Sequence, residues 1–310
     1  MKRKLAAAGI LLLLLFLLCY PQEALRASRE GMTLWLNTLL PTLLPFLILT
    51  GFLIHTDGIE KIFSPFRIFW NKGMGLSCSG AYAFALGMLC GYPMGAKIAS
   101  DLYQYGKISK REAEYLLTFS NNASPAFLTT YLVHICLEER TPIAKILGIL
   151  IASDILCMLF FRFVVYRNHT CKESHEIPQK KETSITSSIG TVLDASIMNG
   201  FETITRLGGY ILLFSLLSAC ISHYWKAAPL SRYLLLGVLE ITTGLHQLAA
   251  SGLAYPVRQL LSIPMAAFGG ICIMAQTRSI LDRRLSLMPY IAAKCLNAAL
   301  TAIAVFVLLY

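Results

Sequence analysis

Charge is what this sequence has least of. Only 14% of its 310 residues are Asp, Glu, Lys or Arg, and acids are the scarcer sign, 17 against 27 bases. An ordinary soluble domain carries about 25% charged residues, so a water-solvated globule of this length is excluded. The nine cysteines (Cys19, Cys78, Cys90, Cys136, Cys157, Cys171, Cys220, Cys272 and Cys295) contain no CxxC pair. Most lie inside apolar runs, where Cys behaves as a small hydrophobe, so neither a disulfide framework nor a zinc site is expected. HExxH, GxSxG and the phosphate-binding loop are all absent. We therefore expect no enzyme, no catalytic residue, no cofactor and no resident metal. No basic stripe interleaves with aromatics, which excludes nucleic acid as a partner.

Long apolar runs fill the space that charge leaves. Hydrophobic residues make up 56% of the chain, and the charges cluster between the runs. A protein solvated by a lipid bilayer is written this way, and the length allows about eight to ten spans of about 20 residues. The net charge of +10 is then the excess of Lys and Arg retained in cytoplasmic loops. We expect a multi-pass cell-membrane protein of all-α class.

Lys2, Arg3 and Lys4 precede an apolar run to Tyr20, followed by only a weak small-residue site at Ala24 and Ala27. An uncleaved span with its N-terminus inside fits better than a signal peptide. A second span is expected over Met32 to Ile54, bent by Pro41 and Pro45. Residues 76–100 hold Gly80, Gly87, Gly91, Gly95 and Pro93, a density that predicts a re-entrant hairpin with its tip near Gly91–Gly95. Ser109 and Glu112 form an S-x-x-E capping box. The helix that it starts meets the break signal Ser120-Asn121-Asn122-Ala123-Ser124-Pro125 at mid-span. A further span covers Ile143 to Val165, and a hydrophilic linker covers 167–190. Apolar segments follow at about 197–222, 232–250, 257–277 and 288–310, with Arg206 expected near the N-terminal end of the first.

The two halves repeat in order. Each opens with a long span, continues through a Gly-rich interrupted segment containing G-x-L, then a broken span (Ser120 to Pro125; Ser262 to Gly270), and closes on an unbroken one. The expected divisions are 1–28 for an N-terminal signal-anchor span, 29–166 and 191–310 for the repeats, and 167–190 for a cytoplasmic linker. A basic N-terminus and a basic linker on one side require an even number of crossings between them. If 76–100 is re-entrant, each repeat crosses three times. An odd number inverts the second repeat, the architecture of secondary transporters with a solute site at the broken segments.

The segment GMLCGYPMGAKIASDLYQYGKISKREAEYLLTFSNNASPAFL carries the most specific pattern. It resembles the sporulation integral membrane protein YlbJ-like family, of the nucleoside-recognition or Gate superfamily, in its GYPxGAK segment, EAE-LL stretch and S/T-N-N-x-S/G-P motif. The likeness is strongest over about residues 85–130. It implies two Gate-type repeats with re-entrant hairpins and broken helices, related to concentrative nucleoside transporters and to the membrane part of ferrous iron permeases. It further implies transport of a small organic anion, dipicolinate for the sporulation members, across the membrane around the forespore. Nucleoside transport and a non-transporting structural role in an envelope complex are the alternatives.

Candidate substrate-binding residues follow from the breaks. Ser120, Asn121, Asn122 and Ser124 offer amides and hydroxyls at mid-membrane, either to a solute or to the carbonyls that Pro125 frees. Gly91, Tyr92, Pro93 and Gly95 form a tip whose backbone a ligand can approach. Lys97 either pairs with a carboxylate or snorkels. Glu240, Thr242 and Thr243, with Gly244 and His246, occupy the equivalent place in the second half. Glu240 there carries a coupling proton or cation or pairs with Lys97, or else forms a structural ion pair or sits at the interface; His246 alone reads as structural. Arg206 and Lys294 fit a carboxylate solute or snorkelling equally, whereas Asp154 and Asn297 are expected to pack across helices. The partners expected are a small solute, the bilayer, a coupling cation and a second copy of the chain.

Overall fold

In hydrocarbon each backbone polar group must be satisfied within the chain, which leaves helices for a sequence this apolar. The computed structural model describes residues 2–54, 58–167, 189–225 and 229–309, with no strand among the described residues. The linker expected over 167–190 lies for its greater part outside them.

The leucine-rich run forms α1 (Lys2–Cys19). Pro21 then occupies the first turn of α2 (Pro21–Ile54), where its fixed φ suits helix initiation. The joint therefore falls at Tyr20, and residues 21–28 open the second span rather than close the first. Ahead of Pro41, which cannot donate, the helix widens into a π turn at Trp35–Leu39. A short α3 (Gly58–Phe63) leads to α4 (Cys78–Cys90), α5 (Met94–Gln104) and α6 (Lys110–Leu117). Next come α7 (Pro125–Cys136), α8 (Ile143–Val165), α9 (Ile189–Tyr224) and α10 (Pro229–Leu239). The chain ends with α11 (Ile241–Ala249), α12 (Tyr255–Phe268), α13 (Ile271–Ile280) and α14 (Met288–Leu309).

Among the described residues five stretches are long and apolar enough to cross a membrane: α2, α8, α9, α12 and α13 together, and α14. Their outer faces are apolar as well. Ile151, Ile155 and Phe160 on α8, and Ile303, Phe306 and Val307 on α14, stand exposed, a surface that needs lipid rather than water. Arg206 sits near the middle of the 36-residue α9, not near an N-terminal end. There it pairs with Glu202 at 2.5 Å and bonds the Ser279 carbonyl.

Two helix pairs run antiparallel. Trp35 of α2 donates its indole N–H to the Ile204 carbonyl of α9 at 2.9 Å. Further along α2, Gly51 faces Ser196, earlier in α9. Asp154 of α8 accepts from Asn297 of α14, and Cys157, one turn on, faces the earlier Ala293.

Helices α4 and α5 close a helical hairpin at Gly91, whose φ of 80° suits glycine. Its arms touch through glycines: a Cβ at Gly87 would lie 2.8 Å from the Gly95 Cα. Helices α10 and α11 close a second hairpin at Glu240 in the same manner, a Cβ at Gly244 falling 2.2 Å from the Gly237 Cα. Each hairpin precedes a break between two helices. The first break runs from Thr118 to Ser124, between α6 and α7. The second is confined to Gly269 and Gly270, at φ 82° and 93°. Ser262 to Phe268, expected to belong to that break, stay helical in spite of Pro264, because neighbouring helices can accommodate a proline within a span.

Candidate functional site

Each hairpin tip rests on the break that follows it. Tyr92 at the first tip donates its N–H to the Asn122 carbonyl at 2.7 Å. The Ser120 carbonyl wedges between Gly87 and Gly95, where a Cβ would come within 2.2 Å and 2.1 Å of it. The carbonyls of Val238 and Leu239 in the second hairpin lie beside Gly270. The halves interlock as well, since Tyr92 packs against Gly269 of the opposite break.

Helix ends at these points are capped locally. Ser109 accepts from the Glu112 N–H at 3.2 Å and starts α6, as its box predicts. The Glu112 carboxylate does not turn back to Ser109; it reaches the Ser77 N–H at 2.7 Å, at the start of α4. Ser124 caps α7 by accepting from Phe127 N–H, and Ser120 donates to the Leu116 carbonyl. Glu240 caps α11: its carboxylate accepts from both N–H groups and both hydroxyls of Thr242 and Thr243, at 2.5–3.0 Å.

A cavity of about 430 Å³ lies between the hairpin tips, lined by Tyr92, Pro93, Ser124, Glu240, Thr242 and Gln276 together with apolar side chains from α2 and α9. Phe127 and Tyr131 stack along one wall with ring centroids 4.9 Å apart. Tyr131, Leu34 and Thr242 also line a larger polar cavity of about 1010 Å³, which holds Glu23, Arg26, His223 and His246. The inner cavity thus adjoins this second one, a polar vestibule.

Asn121 and Asn122 point away from that cavity into the protein. Asn121 donates to Thr277 at 3.1 Å, beside Tyr290. Asn122 accepts from the Lys294 ammonium at 2.5 Å and donates to the Phe119 carbonyl. Lys294, only 2% exposed, also reaches the Ala267 carbonyl at 3.3 Å. It therefore neither snorkels nor faces the cavity. Asp154 and Asn297 do pack across helices, at 2.5 Å. Lys97 is buried but does not meet Glu240: Asp101, one turn along, holds it at 2.6 Å, and Asn199 of α9 lies at 3.1 Å.

The twelve sequence candidates thus separate. Tyr92, Pro93, Ser124, Glu240 and Thr242 line the cavity, and Thr243 lines the vestibule. Ser120, Asn121, Asn122, Gly91, Gly95 and Lys97 are engaged in the packing around it. Tyr131 is not among the sequence candidates and no signal marks it; Gln276, which the sequence places at the end of the second broken segment, is not among them either. Outside the spans, Asp282 and Glu138 sit in connecting segments. Hydrogen bonds from Arg284 hold the Asp282 carboxyl below its usual range. Arg258 first and then Arg140 do the same for Glu138.

Fold and surface define a multi-pass α-helical integral membrane protein. No family model matches the sequence, and no solved structure matches the chain. Among curated proteins it is similar to the sporulation integral membrane protein YlbJ of Bacillus subtilis (strain 168), at 25% identity over 339 aligned residues. That alignment covers 98% of this chain and 82% of the other. The similarity runs over nearly the whole length of the chain, not only across the motif-rich segment.

Proposed function

We propose that the chain is a secondary or facilitated transporter of a small organic solute, built from two inverted repeats with re-entrant hairpins. The carrying observation is the cavity between two hairpin tips, each tip seated on a broken span. Irregular backbone at membrane depth is tolerated where it is buried in protein or lines a cavity, and transporters place solutes there. Inversion is supported by the antiparallel pairing of the equivalent helices, α2 with α9 and α8 with α14. Placing Lys61, Arg67, Lys72, Lys107, Arg278 and Arg283 on the side of the basic N-terminus follows the positive-inside rule. The vestibule then opens on the opposite face.

An organic anion, dipicolinate in particular, is the solute that the YlbJ-like resemblance implies. The cavity wall supports a second reading. Its charged group is Glu240, with Thr242, Ser124 and Gln276 as hydrogen-bonding neighbours, a set that suits a neutral solute of nucleoside type. Uptake of labelled dipicolinate and labelled uridine into sealed vesicles separates the two. We expect one label to accumulate above protein-free vesicles, and Gln276→Ala and Thr242→Ala, both at the cavity wall, to lower its uptake about tenfold. Uptake of neither label would leave the non-transporting structural role in an envelope complex as the surviving reading.

A further inference from the structure

Lys294 occupies an unusual place for a cation. Its ammonium touches the amide oxygen of Asn122, in the first break, and the carbonyl of Ala267, at the end of the helix before the second break. One step further on either side stands a hairpin tip: Tyr92 N–H on the Asn122 carbonyl, and the Leu239 carbonyl beside Gly270. Main-chain carbonyls at helix ends are the ligands with which broken helices hold a coupling cation; here the Ala267 carbonyl is one, and the Asn122 amide oxygen stands with it. Here a covalently attached ammonium fills that position.

We propose that Lys294 is the coupling site, that the coupled ion is a proton, and that sodium has no role. This rests on the transporter reading above. The groups facing Lys294 are Asp154 and Cys157 from α8, Tyr290 from its own helix, and Asn122 from the first break. Asp154 supplies the opposite charge without touching the ammonium among the described ion pairs; Asn297 of α14 bonds that carboxylate, and the Asn122 amide faces it. Protonated, Lys294 ties both breaks together. In that state the halves rock with solute in the cavity; release of the proton to water on the far face removes the charge that holds both oxygens, the solute leaves, and the neutral carrier returns empty. Uptake of one proton from the other face restores the tie. Tyr92 and Tyr290 connect the site to the cavity, since Tyr92 lines the cavity and faces Tyr290, whose ring lies 5.7 Å from the Lys294 nitrogen. Lysine suits this task where arginine does not, because a buried lysine exchanges its proton and a guanidinium keeps its own.

The test uses the full chain in sealed vesicles, with labelled dipicolinate and labelled uridine as probes. Counterflow, which needs no ion gradient, reports transport itself. Accumulation under an imposed difference of one pH unit reports coupling, and one proton per neutral solute gives about tenfold accumulation. We expect wild-type accumulation to follow the pH gradient and to ignore replacement of sodium by choline. We expect Lys294→Arg to abolish the gradient response while counterflow persists. Asp154→Asn serves as a second variant, expected to weaken the response without conferring sodium dependence. Sodium-dependent accumulation in the wild type, or an unchanged pH response in Lys294→Arg, overturns the proposal and leaves transport standing. Absence of counterflow for both probes overturns transport and this proposal together.

Discussion

The two hairpin-and-break units solve one problem with different chemistry. In both, glycines bring the arms into backbone contact, Gly87 with Gly95 and Gly237 with Gly244. The breaks then diverge. The first is made of side chains: Ser120, Asn122 and Ser124 each hold a carbonyl, a cation or a helix start. The second is bare backbone, two glycines with positive φ and nothing to offer but peptide groups. The tips are exchanged in the same sense, Gly-Tyr-Pro in the first and a carboxylate cap in the second. Side-chain polarity therefore sits at one break and at the opposite tip. The cavity between the tips is correspondingly asymmetric, with Tyr92 and Pro93 from one half and Glu240 and Thr242 from the other.

What the units share should be the most costly to disturb. Gly244→Ala places a methyl group 2.2 Å from the Gly237 Cα, and Gly87→Ala places one 2.2 Å from the Ser120 carbonyl. Backbone cannot rotate away as a side-chain tip can, so each change should cost about 3 kcal/mol or more. Little folded protein is expected from either, measured as the monodisperse fraction after detergent extraction. Gly209, with no neighbour within 4 Å of an added Cβ, is the control and should tolerate alanine. Equal yield from Gly244→Ala and Gly209→Ala would break the likeness between the hairpins.

What the units do not share should show next. Asn122→Ala removes the nearest acceptor of a buried ammonium, at a cost of about 2–3 kcal/mol. Gly270→Ala forces a Cβ into an extended backbone of positive φ (93°, with ψ 164°) that essentially only glycine adopts, about 1–3 kcal/mol. Thermal unfolding in detergent should rank them in that order. Asn122→Asp keeps an oxygen opposite Lys294 but loses the donor to the Phe119 carbonyl and sets a second carboxylate beside Asp154, so it should recover only part of the loss, whereas no side chain should rescue position 270.

Much of this was legible in the residues, and the rest was hidden for physical reasons. Glycine and proline density located the first hairpin, since these residues change what the backbone itself can do, and the repeat order placed the second. The Ser109 box located the start of α6 because an N-cap is a local interaction. The extent of the second break was overread: Ser262 and Pro264 are break signals in isolation, but neighbouring helices hold that segment helical. Partners were the least legible part. Lys294 looked like a snorkelling cation or a solute contact, and Lys97 a partner for Glu240, because sequence spacing cannot show that Asn122 is 172 positions from Lys294 and yet in contact with it. Asp101, by contrast, is four positions from Lys97, a pairing that helical spacing alone could have supplied.

The smallest effect expected lies where the two broken spans meet again, at their other ends. Arg258, at the start of α12, bonds the Cys136 carbonyl at the end of α7 and the Glu138 carboxylate at 2.6 Å. Beside it, Gln259 donates to Thr141 at 2.6 Å. Arg258 and Arg140 hold the Glu138 carboxyl below its ordinary value of about 4.3. A group whose folded pKa is depressed contributes stability that is fully present above the unfolded value and is lost as pH falls through the folded one. The connection over 137–142 should therefore hold from neutral pH down to about pH 4 and loosen below it. Glu138 is solvent-exposed, so the change is local rather than global. Limited proteolysis or hydrogen exchange of that segment across pH 3–6 should show it, and Glu138→Gln should flatten the dependence. The first break, sealed from solvent around Asn121 and Asn122, should exchange at an unchanged rate over the same range. If both regions loosen together, the two junctions between the broken spans are one cooperative unit, and the contrast between side-chain and backbone breaks no longer separates them.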